Sequence, residues 1–158
     1  MITFKTVKVC LLLIFVFVNI FYIAPCYSLV LREDLFKNAL DLSSDGKFNL
    51  ALQQWNRYLD SYPDDAAGLS NRGNVRLLLG DVEGSIDDQN KAISLNPSEI
   101  DPYINRGIAE EALGKWSQAK EDYMFVISKD SKNFSALYNL GNVEGSTSQW
   151  EKARDLFS

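Results

Sequence analysis

The sequence contains no histidine, and its only two cysteines, Cys10 and Cys26, lie near the amino terminus. Residues 29–158 therefore cannot form a disulfide, and they offer no thiolate nucleophile, no histidine general base and no Cys/His zinc site. They also lack a run of closely spaced oxygen ligands on a loop, which a calcium site requires. We therefore predict no catalytic residue, no metal and no cofactor, and a protein that is not an enzyme.

Positive charge is scarce as well. Residues 29–158 hold 14 lysines and arginines against 21 aspartates and glutamates. A surface with this excess of acid repels the phosphate backbone of nucleic acids. Nucleic acid is therefore not an expected partner.

Acidic residues are absent from residues 1–28, and residues 9–24 are almost wholly apolar. Lys5 and Lys8 precede the apolar stretch, and a helix-breaking proline and small residues follow it as far as Ser28. This layout is typical of a secretory signal. It is consistent with cleavage after Ser28.

The same segment is also consistent with retention at a membrane, in either of two ways. As a helix, residues 9–24 extend about 24 Å, short of the roughly 30 Å hydrocarbon core, but residues 29–31 would lengthen an uncleaved anchor enough to span. Lipid attachment to Cys26 is the second way, which the preceding Pro25 disfavours. In each case we expect a protein exported across or anchored in a membrane, on its periplasmic, thylakoid-lumenal or extracellular side. Residues 9–24 would contact the membrane if they are not cleaved.

Several residue types recur at a spacing of 34 residues. The recurring sets are Leu35, Leu69, Tyr103 and Leu137; Ala39, Gly73, Gly107 and Gly141; Gly46, Gly80 and Gly114; Phe48, Val82, Trp116 and Trp150; Ala51, Ser85, Ala119 and Ala153; Trp55, Gln89, Tyr123 and Phe157; and Pro63 and Pro97. So many coincident sets indicate one supersecondary unit stacked several times.

This pattern resembles the tetratricopeptide repeat (TPR) family. The family motif runs as a large apolar residue, a small residue four later, a turn glycine, a small residue, an aromatic and a closing proline. The resemblance covers residues 32–158, with repeats at 32–65, 66–99, 100–133 and a truncated 134–158. It implies an all-α fold, a TPR-type α-solenoid of antiparallel helix pairs, here preceded by a hydrophobic amino-terminal helix. The pattern is also similar to TPR proteins of bacteria and of organelles with bacterial ancestry.

Each repeat is expected to form two helices, A and B. We predict A helices at 32–44, 66–79, 100–113 and 134–147, and B helices at 47–60, 82–95, 116–129 and 150–158. The turn glycine suits the left-handed conformation that ends a helix. A glycine inside a helix costs about 1 kcal/mol against alanine, so the glycines at 73, 107 and 141 indicate close approach of the two axes.

Two further sets of residues are assigned to packing. Large rings at repeated helical positions are expected to fill the gaps between repeats rather than to hold a cofactor. These rings are Trp55, Trp116, Tyr123 and Trp150. Two arginines at the edge of the packed face, Arg72 and Arg106, are expected to pair with nearby acids such as Asp87, Asp88 or Glu121.

The concave wall of a stacked solenoid is lined by the A helices, so a partner is expected there. At 100° per residue, positions 2, 6, 9 and 13 of each repeat face away from the packed side. An amide side chain carries both an acceptor and a donor, and it can pair with the backbone of an extended peptide. In some TPR proteins an asparagine ladder of this kind holds bound peptide. The candidate partner-binding residues are Asn71, Asn74, Asn105, Asn139, Asn142 and Tyr138.

A specificity device known in the TPR family is a clamp for the C-terminal carboxylate of heat-shock chaperones. It requires two lysines, an arginine and two asparagines at fixed positions of the inner wall. In two alternative registers those positions here hold Phe36, Leu40, Asn71, Asp101 and Asn105, or Ser70, Asn74, Asn105, Ser135 and Asn139. Neither set contains a base, and a carboxylate facing Asp101 would be repelled. We therefore predict that this clamp is not used.

The leading hypothesis is a scaffold that binds a peptide or protein partner in its concave groove, as an assembly factor for a membrane-associated complex. One alternative is self-association through the open C-terminal end, where Leu156 and Phe157 have no following helix to cover them. Another is that the chain is a fragment of a longer TPR protein with a further domain after residue 158.

Overall fold

The computed structural model describes the backbone of residues 31–156 and the side chains of residues 31–148. That part of the chain forms seven helices and no strand, which confirms the predicted all-α fold. The helices are α1 (31–44), α2 (Phe48–Ser61), α3 (Ala66–Leu78), α4 (Val82–Leu95), α5 (Asp101–Ala112), α6 (Trp116–Lys129) and α7 (Phe134–Leu156). Within 31–156, no helix has the length and apolar character needed to cross a membrane. The predicted signal or anchor at 1–28 and the hydrophobic helix expected there lie outside the described residues.

From α2 to α7 each helix contacts the next along the chain, and α3 also contacts α5, as α5 does α7. Helix α1 contacts α2 through the rings of Phe36 and Trp55, whose centroids are 5.0 Å apart. The turns within the first three pairs are made by Gly46, Gly80 and Gly114, whose φ angles are 73°, 86° and 69°. The residue after each glycine donates its N–H to a carbonyl five residues earlier, as Asp81 does to Arg76 at 2.9 Å. This bond closes the end of the A helix, so the A helix stops at the predicted glycine.

Aspartates begin two of the helices. The side chain of Asp65 accepts the N–H of Gly68 at 2.7 Å, and that of Asp81 accepts the N–H of Gly84 at 3.0 Å. Each bond satisfies a donor that the first turn of a helix leaves unpaired. The caps therefore fix where α3 and α4 begin.

Close packing of paired helices explains two of the repeated glycines. A Cβ atom at Gly107 would lie 2.6 Å from Cε1 of Tyr123, and one at Gly73 would lie 2.6 Å from Nε2 of Gln89. At Gly141 a Cβ would meet no described atom within 4 Å. The predicted close approach is therefore confirmed at Gly73 and Gly107 and is wrong at Gly141.

The fourth helix pair differs from the prediction. The position that holds the turn glycine in the other repeats holds Ser148, and α7 runs without interruption from Phe134 to Leu156. A residue with a Cβ is disfavoured in the left-handed conformation, so the helix continues. The predicted division into helices at 134–147 and 150–158 is therefore wrong as far as Leu156. The missing turn also explains why no B helix covers Gly141.

The repeated aromatics behave as core residues with one exception. Trp55 and Tyr123 are fully buried, as predicted. Trp116, however, lies in the first turn of α6 and is 36% exposed, so its assignment to the core is wrong. Gln89 is the polar member of the set and is fully buried, and its amide donates to the carbonyl of Ser70 at 3.0 Å. The side chain of Trp150 lies outside the described residues.

The two arginines join neighbouring repeats. Arg72 donates through Nε and Nη2 to the two carboxylate oxygens of Asp88, at 2.8 and 2.6 Å, and through Nη1 to Asn56 at 3.1 Å. One repeat later, the same three bonds recur from Arg106 to Asp122 and Asn90. The predicted pairing with acids is confirmed, although Arg106 pairs with Asp122 and not with Glu121. Each network spans three successive helices and holds adjacent repeats in register.

Candidate functional site: an amide-lined hollow between α3 and α5

A hollow of about 570 Å³ lies between α3 and α5 on the wall formed by the odd-numbered helices. Three of the predicted partner-binding residues line it, Asn71, Asn74 and Asn105. The A-helix face deduced from 3.6-residue periodicity thus coincides with a real concavity at these positions.

Two asparagines of the hollow are already anchored to the protein. The Nδ2 atom of Asn71 donates to the carbonyl of Ala67, one turn earlier in α3, at 2.9 Å. The Nδ2 atom of Asn105 donates to Oγ of Ser70 at 3.3 Å, a bond that joins α5 to α3. Asn74 is exposed and makes no side-chain hydrogen bond to the described part of the chain. The hollow therefore has two fixed amides and one free amide.

Carboxylates form part of the lining. Glu99, in the loop before α5, and Asp101, at the start of α5, both line the hollow and are exposed. Neither makes an ion pair with any described residue, and no lysine or arginine lines this hollow. The hollow consequently has a negative electrostatic character.

The other three predicted site residues lie on α7 and do not line this hollow. Asn139 is half-buried and Asn142 is exposed, and Tyr138 is 60% exposed with its ring stacked on that of Phe134 at 6.1 Å. From α7, only Ser135 reaches the lining. The structure therefore brings together the asparagines of the second and third repeats and leaves those of the fourth apart.

Sequence reasoning missed several residues of the hollow. Ser70 was placed on the inner wall only as a position of the unused clamp, and it lies one position before the asparagine ladder. Glu99 was not a candidate because it belongs to a loop. Glu99 could have been predicted, since the loop before an A helix adjoins the same wall as the amino terminus of that helix.

No group of three or more acidic, histidine or cysteine side chains in the described part could hold a metal ion.

Comparison of sequences gives a partial match. Residues 36–100 match the family model described as "Tetratricopeptide repeat". Tetratricopeptide repeat protein 36 of Danio rerio is 33% identical over 64 residues, which are 40% of this chain and 34% of that protein. The chain thus matches about a third of the length of this curated relative.

Comparison of structures extends over more of the chain. The first TPR domain of Spaghetti (RPAP3), solved bound to the HSP90 peptide SRMEEVD, is 26% identical with a TM-score of 0.71, covering 74% of this chain and 93% of that one. The first TPR domain of the human RPAP3 protein is also 26% identical, with a TM-score of 0.72 and coverage of 77% and 95%. The matched repeats and this likeness support the tetratricopeptide repeat family, and the described residues adopt the TPR-type α-solenoid fold.

Proposed function

We propose that this protein is an interaction scaffold that holds an extended segment of a partner protein in the hollow between α3 and α5. The observation that carries the proposal is the meeting of Asn71, Asn74 and Asn105 in one concavity of about 570 Å³. Pockets that bind ligands combine concavity with a few fixed polar groups. In this proposal the protein acts by binding and not by catalysis.

The structural relative supports a peptide as the class of partner. The RPAP3 domain that resembles this chain was solved with a bound HSP90 peptide. That peptide, SRMEEVD, has three acidic residues among its last four, whereas the hollow here is lined by Glu99 and Asp101 and by no base. We therefore propose that the partner is bound as an extended segment but is not an acidic chaperone tail.

A comparison of alanine variants tests this proposal. The full chain with Asn71→Ala, Asn74→Ala and Asn105→Ala should recover much less partner in a pull-down than the unaltered chain, because the hollow loses its directional hydrogen-bonding groups. Asn38→Ala with Asn49→Ala is a suitable control, since both asparagines are exposed outside the hollow. Equal recovery by the two variants would exclude the hollow as the binding site.

We further propose that the scaffold works on the far side of a membrane, as an assembly factor for a membrane-associated complex. The apolar stretch at 9–24, preceded by two lysines, supports export or anchoring. Mass spectrometry of the native amino terminus tests this directly. A mature chain beginning at residue 29 indicates cleavage, an intact start indicates an anchor, and an intact chain in a cytosolic fraction would exclude both.

A second candidate function is self-association through α7. Its face carries exposed Phe134, Leu137 and Tyr138, at 77%, 46% and 60% exposure, whereas the matching Leu69 in α3 is buried. Contiguous apolar exposure of this kind is typical of a contact surface. Co-expression of two differently tagged full chains should recover both tags together, and Leu137→Asn with Tyr138→Asn should abolish that recovery. Recovery unaffected by these substitutions would exclude the face.

A further inference from the structure

The hollow between α3 and α5 presents more unused acceptors than donors. Asn71 and Asn105 have each committed an N–H of the amide, to the carbonyl of Ala67 and to Oγ of Ser70. The amide oxygens of both asparagines have no hydrogen-bond partner among the described residues. Since an amide carries two N–H hydrogens and an oxygen with two lone pairs, each asparagine has used one of its two donors while its oxygen still has its full acceptor capacity.

Two carboxylates add to this excess of acceptors. Glu99 and Asp101 line the hollow, and an ionised carboxylate accepts hydrogen bonds without donating any. Four of the described arginines, Arg32, Arg72, Arg76 and Arg106, each form an ion pair with an aspartate outside the hollow. These aspartates have a partner charge, whereas Glu99 and Asp101 form no ion pair with any described residue.

Helix stability explains only part of this arrangement. Asp101 lies in the first turn of α5, where an acid interacts favourably with the positive end of the helix. This interaction of Asp101 with the helix end does not explain why the amide oxygens of Asn71 and Asn105 lack hydrogen-bond partners among the described residues. It also does not require Glu99, which precedes the helix. The common property of the four side chains is that each can accept a hydrogen bond from a ligand.

We infer that the partner segment bound in this hollow presents a lysine or arginine side chain, whose ammonium or guanidinium donates to Glu99, Asp101 and the free oxygens of Asn71 and Asn105. This inference rests on the proposed function and specifies the chemistry of its partner. An ammonium carries three donors and a guanidinium five, and neither accepts, which complements the lining. The negative charge of the full chain, −5, steers such a segment towards the protein.

Three fluorescent peptides of equal length test the inference by anisotropy with the full chain. They share a glycine–serine backbone and carry lysine, glutamine or glutamate at the same alternating positions. We expect the lysine peptide to bind most tightly, the glutamate peptide least, and the preference to weaken as salt is added. Glu99→Gln or Asp101→Asn should weaken lysine-peptide binding about two- to fivefold each, because exposed charge pairs are modest in strength.

A matched variant and a stability measurement keep the test specific. Glu83→Gln makes the same charge change in the first turn of α4, outside the hollow, and should leave lysine-peptide binding unchanged. Thermal unfolding of each variant separates loss of binding from loss of fold. Equal effects of Glu83→Gln and Glu99→Gln would overturn the inference.

The outcomes also separate this inference from the proposed function. Lysine and glutamine peptides that bind equally, both losing affinity in an Asn71→Ala, Asn105→Ala variant, would overturn the inference and leave the peptide site standing. Failure of all three peptides to bind the unaltered chain would contradict the site itself and the inference with it.

Discussion

Alanine substitution of glycines at the same repeat position is expected to change the free energy of unfolding in opposite directions in different repeats. Gly107→Ala places a Cβ 2.6 Å from the buried ring of Tyr123, and we expect it to lower the free energy of unfolding by about 1–3 kcal/mol through overpacking. Gly141→Ala meets no described atom within 4 Å, and we expect it to raise that free energy by up to about 1 kcal/mol through helix propensity. Urea unfolding of both variants measures this difference. Equal changes in the free energy of unfolding would contradict the open space beside Gly141 on α7.

Ion pairs of similar length are expected to contribute differently to the free energy of unfolding because their burial differs. The carboxylate of Asp88 is 5% exposed and receives Arg72 and Arg76, so Asp88→Ala should lower the free energy of unfolding by about 3 kcal/mol. Asp64 is 73% exposed and pairs with Lys91 at 3.0 Å, so Asp64→Ala should cost under about 1 kcal/mol. Chemical denaturation compares the two, and a ranking in the reverse order would contradict the role of the buried network.

One buried carboxyl is expected to make stability depend on pH. Burial, together with the charge of Asp122, raises the pKa of Glu110 above its ordinary value of 4.5, although Arg106 and Lys115 oppose the shift. A raised carboxyl pKa penalises the folded state once pH exceeds the ordinary value, fully so above the folded value. Glu110→Gln should therefore be more stable than the parent at neutral pH, and the gain should vanish as pH falls below 4.5. A gain independent of pH, measured by urea unfolding, would contradict this origin.

At the scale of the helix, a single residue decides whether α7 turns. Ser148→Gly should allow the left-handed turn seen at Gly46, Gly80 and Gly114, whereas Ser146→Gly should only weaken the helix. In a chain with Cys10 and Cys26 replaced by serine, spin labels at Ser135→Cys and Asp155→Cys should lie about 30 Å apart. Pulsed electron paramagnetic resonance should show a second population of label distances, of about 15 Å, in Ser148→Gly alone. This is the separation expected when the second half of α7 packs back against the first half. The same distances in both glycine variants would show that the residue at 148 does not control the turn.

The helices whose bounds the sequence predicts best each follow a turn glycine. Val82–Leu95 and Trp116–Lys129 begin and end at the predicted residues, because a turn glycine precedes each one. The end of the A helix is likewise fixed by the glycine, within one residue at Leu78. In α7 the periodicity continued but the turn signal did not, and the local backbone preference of Ser148 decided the outcome. The 34-residue repetition alone therefore predicted a fourth helix pair where α7 is a single helix.

At the scale of the whole molecule, periodicity identified the wall of the groove but not where the wall is hollow. Asn71 and Asn105 lie together because α3 and α5 are in contact and Ser70 joins them by a hydrogen bond. Asn139 has the same repeat position on α7, yet it lies outside the lining. Which A helices leave a hollow between them depends on packing in three dimensions, which the repeat spacing does not specify. The direction of each amide was likewise not predictable, because it follows from a bond to a neighbouring turn.

Site-specific photo-crosslinking in the full chain would show whether a peptide is held in the hollow between α3 and α5. A photoreactive residue replaces the exposed Asn74 in the hollow or, as a control, the exposed Asn49 on α2. We expect Asn74 to capture a partner segment containing lysine or arginine, and Asn49 not to capture it. Capture of the same segment at Asn49 alone, or equally at both positions, would contradict binding in the hollow.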